Sequence, residues 1–227
     1  MNWQDEGYLL SKRKFRENAN IINIFTKEYG KVSGIVYGGN SRKIRNFLQI
    51  SNKIFTFYTT KSENKIGYFK SELIKAISPK YFSDRKRTSA LLSLTSLLNI
   101  LLPESQPNKI IYNSLEKLFS CFDDDNWFYF YIFWELNLIK ELGFDPNLSR
   151  NNKKNDIESK LILNIDIDGS KYQVPKFLIT KKLPVITDNA LINKSLIFTR
   201  SIMMNKFFTT NNLIFPKSRI ILENYFN

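Results

Sequence analysis

The chain has 227 residues, 43% of them hydrophobic, which suits one large domain or two small ones around a real core. Its 34 Lys and Arg against 21 Asp and Glu leave a net charge of +13, which points to a polyanionic partner. With no histidine and the single cysteine Cys121, the chain lacks the commonest catalytic base, any internal disulfide and any Cys-rich zinc site.

Lys, Asn and Ile are all abundant, as an A·T-rich genome would make them, so the distribution of charge says more than its total. Residues 1–80 hold 15 Lys and Arg against 6 Asp and Glu, residues 81–150 hold 7 against 9, and residues 151–227 hold 12 against 6. Four of the nine arginines, Arg13, Arg16, Arg42 and Arg45, lie in the first 45 residues, and arginine is the residue that lysine-favouring drift depletes. The N-terminal third therefore carries the expected basic face.

In chain order, residues 1–80 give five β-type runs: EGYLLSKRKF, NIINIFTKEYG, KVSGIVYGG, NKIFTFYTT and IGYFKSELIKAI. Five short strands in that length predict a small barrel. Gly30 predicts a tight hairpin, and Gly38-Gly39-Asn40-Ser41 predicts a turn that lifts Arg42, Lys43 and Arg45 onto a loop at the barrel rim, suited to phosphate oxygens.

The pattern then becomes helical. A helix is expected over about 84–102, capped by Ser83 or Asp84 and stopped by Pro103. Others are expected over about 108–121 and about 126–141, the last behind the acidic cap DDDN and ending at Gly143. Trp127, Phe128, Tyr131, Phe133 and Trp134 make that third helix apolar all round, so it belongs at the centre of a helical domain. Asp123, Asp124 and Asp125 read as helix-start acids favoured by the dipole rather than as nuclease carboxylates. LNIDIDGSKYQV alternates and then turns at Asp168-Gly169, which reads as a β-hairpin rather than a calcium loop. No nucleotide-binding loop or nucleophile elbow is present, so an enzyme is not expected. The opening MNWQDEGYLL shows no secretory pattern, and the longest apolar stretches fall short of the roughly 20 residues that cross a membrane. A cytoplasmic protein without membrane contact is expected.

The serial order of DEGYLLSKRKFRENANIINIFTKEYGKVSGIVYGGNSRKIRN, then FWELNLIKELGFDPNLSR, then FPKSRIILENYF resembles the family of the bacterial DNA repair protein RecO. The resemblance implies an α+β architecture, with an N-terminal five-stranded oligonucleotide-binding (OB) barrel over residues 1–80. A helical domain over 81–227 would follow, with a small hairpin insertion around 151–182. It also implies a non-enzymatic recombination mediator that binds single- and double-stranded DNA, anneals complementary strands and works with RecR to load RecA, at a nucleoid-associated location. The C-terminal tail of single-strand-binding protein is a further implied partner. Many members carry a four-cysteine zinc site after the Leu-Gly-Phe turn; here that stretch has no cysteine, so no metal or other cofactor is expected, and hairpin packing is expected to replace it.

Annealing two polyanions needs cations to screen phosphate repulsion, while base pairing supplies sequence information. Arg13, Arg16, Lys31, Arg42, Lys43 and Arg45 are the candidate phosphate contacts. Tyr8, Tyr37, Phe55, Phe57 and Tyr58 are aromatic, but alternation must send some of them into the core, so none is assigned a role. The alternatives are an adaptor that holds protein partners with incidental DNA contact and, more distantly, a nuclease using Asp123–Asp125.

Overall fold

The computed structural model describes residues 2–38, 41–62, 65–148, 161–184 and 188–227, with the side chains at 42, 43 and 45 outside the description. The five alternating runs form β1 (Asn2–Arg16), β2 (Ala19–Thr26), β3 (Gly30–Tyr37), β4 (Lys53–Thr59) and β5 (Gly67–Lys75). They close into a barrel of order β1-β2-β3-β5-β4, the expected OB-type arrangement. Leu9, Ile22, Ile24, Val32, Val36, Ile54 and Phe69 point inward and make the barrel core. At the β2–β3 hairpin Gly30 has φ 72°, and a Cβ there would run into the backbone of Gln106, so both the turn and the close approach demand glycine.

One element departs from expectation. Arg42, Lys43 and Arg45 do not sit on an open loop but on a short helix, α1 (Arg42–Phe47). The Ser41 hydroxyl caps it, accepting from Ile44 N at 3.4 Å, and the apolar side of the turn explains why it winds up. Ile44 and Phe47 pack against the barrel core, and Leu48, fully buried, joins it.

Helices α2 (Arg85–Leu101), α3 (Lys109–Ser120) and α4 (Trp127–Glu141) fall where the periodicity placed them. Asp84 caps α2, accepting from Arg87 N at 2.9 Å and from the Arg87 guanidinium at 2.7 Å. Burial pushes its carboxyl upward, but these bonds outweigh it and hold the group below the usual carboxylate range.

The cap of α4 differs from the acidic one expected. It is Asn126, without a side-chain capping bond, and Asp124 acts two residues earlier by accepting from Asn126 N at 2.7 Å. A short acid two residues ahead of an N–H closes an Asx turn, which competes with direct capping.

Packing divides the chain into two compact units, Met1–Tyr112 with Pro216–Leu222, and Asn113–Phe215 with Glu223–Asn227. The first is larger than the expected 1–80 barrel because α2 is fastened to the strands. Asn23 Nδ2 donates to Asn99 Oδ1 at 2.7 Å, and Ser51 Oγ donates to Leu91 O at 3.4 Å.

In the second unit α4 is central, as its composition predicts, with Trp127, Tyr129, Tyr131, Ile132, Trp134, Leu138 and Ile139 all buried. Glu135 is also fully buried, and its Oε2 accepts from Thr199 Oγ1 at 2.6 Å across to α6 (Asn189–Met203). The hairpin β6 (Ile162–Ile167) and β7 (Ser170–Pro175) lies where the Asp-Gly turn put it, with α5 (Lys176–Thr180) directly after. A π-helical turn, Met204–Phe208, continues α6, and α7 (Lys217–Asn224) closes the chain. Among the described residues, no helix is long and apolar enough to cross a membrane.

Candidate nucleic-acid interface

Strand β1 is 15 residues long, and only Gly7 and Tyr8 belong to both of its ladders. Asn2–Tyr8 pair with β4, whereas Ser11–Arg16 pair with β2 alone. The second half is therefore a free sheet edge, the outer strand of a β1–β2 ribbon whose inner strand pairs on its far side with β3. Register shifts between Leu9 and Ser11 and between Lys14 and Arg16 mark bulges, which raise the twist of a ribbon and re-aim its side chains.

Residues Lys12 to Asn18 are all exposed, and they include Lys12, Arg13, Lys14 and Arg16. Among the described residues no ion pair engages Arg13, Lys14 or Arg16. Lys12 donates to Leu48 O at 2.9 Å, and the Arg16 guanidinium lies 5.2 Å from the Phe15 ring centroid. Arg13 and Arg16 thus stand on an exposed arm with their charge available.

The arm is tied to the start of the α1 segment, since Gly38 N donates to Asn18 O at 2.9 Å. Cross-strand partners share a face. Two rows cross the sheet from the arm: Arg16 to Ala19 to Tyr37, and Arg13 to Ile21 to Ile35 to Tyr68. Helix α1 begins four residues beyond Gly38, so the backbone brings Arg42, Lys43 and Arg45 into the same part of the barrel unit as the arm.

Lys31 does not belong to this set. It is 7% exposed, and its ammonium donates to Asn99 O at 2.8 Å and lies 3.4 Å from Glu104 Oε1. Its place on β3 turns it toward α2, where it fastens barrel to helix. A strand lysine facing a helix end is indistinguishable by composition from one facing solvent.

The five aromatics left unassigned by sequence are sorted by the barrel. Tyr8 is buried, Phe55 is half-buried and Tyr58 packs on Trp3 with centroids 4.8 Å apart, whereas Tyr37 and Phe57 are exposed. Tyr68, which the sequence pattern did not single out, is exposed beside Tyr37.

Metal chemistry finds little support in the donors present. Among the described residues no group of three or more His, Cys, Asp and Glu is placed to hold a metal ion, and Asp124 is engaged in its turn. Residues 149–160, after the Leu-Gly-Phe turn, lie outside the described residues but contain no cysteine or histidine. Cys121 stands at the end of α3.

The donor set does not fit a zinc site, and the hairpin is held by other means. Lys206 Nζ lies 2.6 Å from Asp168 Oδ2 and 4.4 Å from the Phe144 ring centroid, and Asn205 Nδ2 donates to Tyr172 OH at 2.9 Å. Elemental analysis of the purified protein is expected to find no stoichiometric zinc; one zinc per chain would contradict this, since structural sites draw four ligands from thiolates and imidazoles.

The chain matches two models of known protein families. The model described as "Recombination protein O N terminal" matches residues 1–77, and "Recombination protein O C terminal" matches residues 82–161. The chain belongs to the recombination protein O family. The two matches meet at the transition from strand to helical periodicity, although α2 packs with the barrel.

Among relatives in the recombination protein O family, DNA repair protein RecO of Ehrlichia chaffeensis is 36% identical over 152 residues, covering 66% of this chain and 62% of that protein. Its counterpart in Wolbachia sp. subsp. Drosophila simulans is 32% identical over 152 residues, with the same coverages of 66% and 62%. That of Roseobacter denitrificans is 33% identical over 145 residues, covering 63% of this chain and 60% of its own. The matched stretch thus spans about three-fifths of the length of these relatives.

Proposed function

We propose that this protein is a non-enzymatic recombination mediator of DNA repair that binds single- and double-stranded DNA through the basic arm of its barrel and anneals complementary strands. The observation that carries the reading is the set of exposed cations Arg13, Lys14 and Arg16 on the β1–β2 ribbon, continuous in register with the barrel face. Such a surface neutralises phosphates without reading bases, which is what annealing asks of a protein.

In this reading it acts with RecR to load RecA onto DNA coated by single-strand-binding protein, at the nucleoid in the cytoplasm. The test is annealing of complementary oligonucleotides, with and without cognate single-strand-binding protein, across a salt series. Acceleration that declines steeply with salt is expected; no acceleration and no binding at low salt would overturn the reading.

A second reading, as a docking adaptor, has its own observation. In the barrel unit a groove of about 280 Å³ is lined by Leu48, Ile50, Phe82, Leu91 and Leu92, with Lys12 at its side, and Phe82 is 64% exposed. An apolar groove beside a cation suits an acidic peptide with a hydrophobic anchor, the chemistry expected of the single-strand-binding-protein tail. Titration with a labelled tail peptide separates the two: binding that survives loss of the arm cations belongs to the groove.

A further inference from the structure

We propose that Tyr37, Tyr68 and Phe57 form a base-stacking platform on the outer face of the barrel, which makes the DNA site favour unpaired strands over duplex. This rests on the DNA-binding reading above and adds to it a contact with bases.

The three rings are exposed by 56%, 41% and 40%, and the strand ladders set them on one surface. Phe57 is two residues from Thr59, and Thr59 pairs with Tyr68. Tyr68 pairs with Ile35, which is two residues from Tyr37. Side chains two apart on a strand, and side chains directly opposite on neighbouring strands, point the same way, so the row runs unbroken from β4 through β5 to β3. The intervening Tyr58 and Phe69 point the other way, into the Trp3 cluster.

Tyr37 and Tyr68 are already parallel, with centroids 5.5 Å apart and planes inclined by 18°. Phe57 is fixed edge-on by Phe55, at 5.2 Å and 82°. Each ring is in contact with another before any ligand arrives, which lowers the ordering cost of stacking a base on them. Phe57, Thr59, Tyr68 and Lys70 line a shallow groove of about 390 Å³, and Lys70, opposite Phe57 in the ladder, adds an exposed cation at its edge.

Single exposed apolar residues need no explanation, but three aromatic rings on one sheet face with a lysine among them do. Two features point to nucleic acid as the occupant. The rows that lead to Tyr37 and Tyr68 start at Arg16 and Arg13, two and three strands away, or about 10 and 14 Å at ordinary strand spacing. A strand whose phosphates lie on the arm therefore reaches the rings within a few nucleotides. The chain's positive charge also disfavours a second basic surface as partner. Bases in a duplex have their faces covered by their neighbours, so only an unpaired strand gains from the platform.

The experiment compares wild type with the Tyr37→Ala/Tyr68→Ala double variant, Phe57→Ala, and Tyr37→Phe/Tyr68→Phe. Each is measured by fluorescence anisotropy on an oligo-dT strand and on a duplex over a salt series, with melting curves recorded to confirm folding. Loss of single-strand affinity by about tenfold or more is expected for the double alanine variant, with duplex affinity and the salt slope unchanged. Phe57→Ala should lower single-strand affinity in the same direction, and the double Phe variant should behave as wild type, since ring faces rather than hydroxyls are used.

Unchanged single-strand affinity in the double alanine variant overturns the platform and assigns the rings to a protein partner, while the arm reading stands. Equal losses on strand and duplex also overturn it. Wild-type protein that binds neither form refutes the underlying DNA reading instead.

Discussion

Alanine at Gly34 or at Gly67 is expected to lower the stability of the barrel by about 3 kcal/mol, a large fraction of what a domain of this size has to lose. The barrel closes through a parallel seam between β3 and β5 with only two register pairs, Gly34 with Gly67 and Ile35 with Tyr68. A Cβ on Gly34 would fall within the ring of Phe69, and one on Gly67 within the ring of Tyr58. Both rings are held by neighbours. Phe69 is 5% exposed, and both rings pack against Trp3, with centroid distances of 6.2 Å and 4.8 Å.

Tyr58 is further anchored because its hydroxyl accepts from Gly67 N at 3.1 Å, a bond worth about 1 kcal/mol that a shifted ring would forfeit. Overpacking of this kind typically costs about 1–3 kcal/mol, and the lost bond adds to it. Gly143→Ala is the control. Its φ of 101° makes alanine strained there, but no atom lies within 4 Å of the added Cβ, so the overlap penalty is absent. Denaturant midpoints read the difference; wild-type stability in both seam variants would contradict the closure argument. Because Tyr68 sits in the seam beside Tyr37, a weakened seam should also cost single-strand preference.

The barrel was readable in the sequence because its strands alternate cleanly between turn residues, and the helices because Asp84, Pro103 and Gly143 mark their ends. What could not be read are facts about which side a residue faces. Lys31 and Arg13 are both strand cations, yet one meets α2 and the other solvent. Alternation alone gives two faces without saying which is inside; what separates Tyr58 from Phe57 is that its ring stacks on Trp3, which packs against the barrel core. Helix α1 was hidden by the glycine turn ahead of it. Its apolar members, Ile44, Phe47 and Leu48, have helical spacing, but over too short a run to outweigh Gly38-Gly39-Asn40. The α4 cap went to Asn126 because Asp124 found a closer donor two residues on.

Removing Arg13, Arg16, Arg42, Lys43 and Arg45 together should weaken DNA binding by about a thousandfold or more near 0.1 M salt, whatever the sequence of the DNA. Each lost phosphate contact removes released counterions, so the salt slope should flatten by about 0.7 per contact on single strands and about 0.9 on duplex. Partial sets apportion the effect: Arg13→Ala/Arg16→Ala reports the ribbon, and the three α1 substitutions report the helix. Stability should change little in the ribbon pair. Both residues are exposed, and the stacking of Arg16 on Phe15 is an exposed contact worth about 0.5 kcal/mol.

Lys31→Ala provides the opposite signature. It strips a buried ammonium from Asn99 O and Glu104, so it should lower the melting temperature and leave the salt slope intact. If the five-fold variant, folded by circular dichroism, keeps wild-type affinity and slope, the arm does not carry DNA. If Lys31→Ala flattens the slope as much as Arg13→Ala, the burial that separates them in the barrel is wrong. The difference between Lys31 and the arm cations follows from their place in the fold: Lys31 faces Asn99 of α2, whereas Arg13 and Arg16 stand on the free edge of β1.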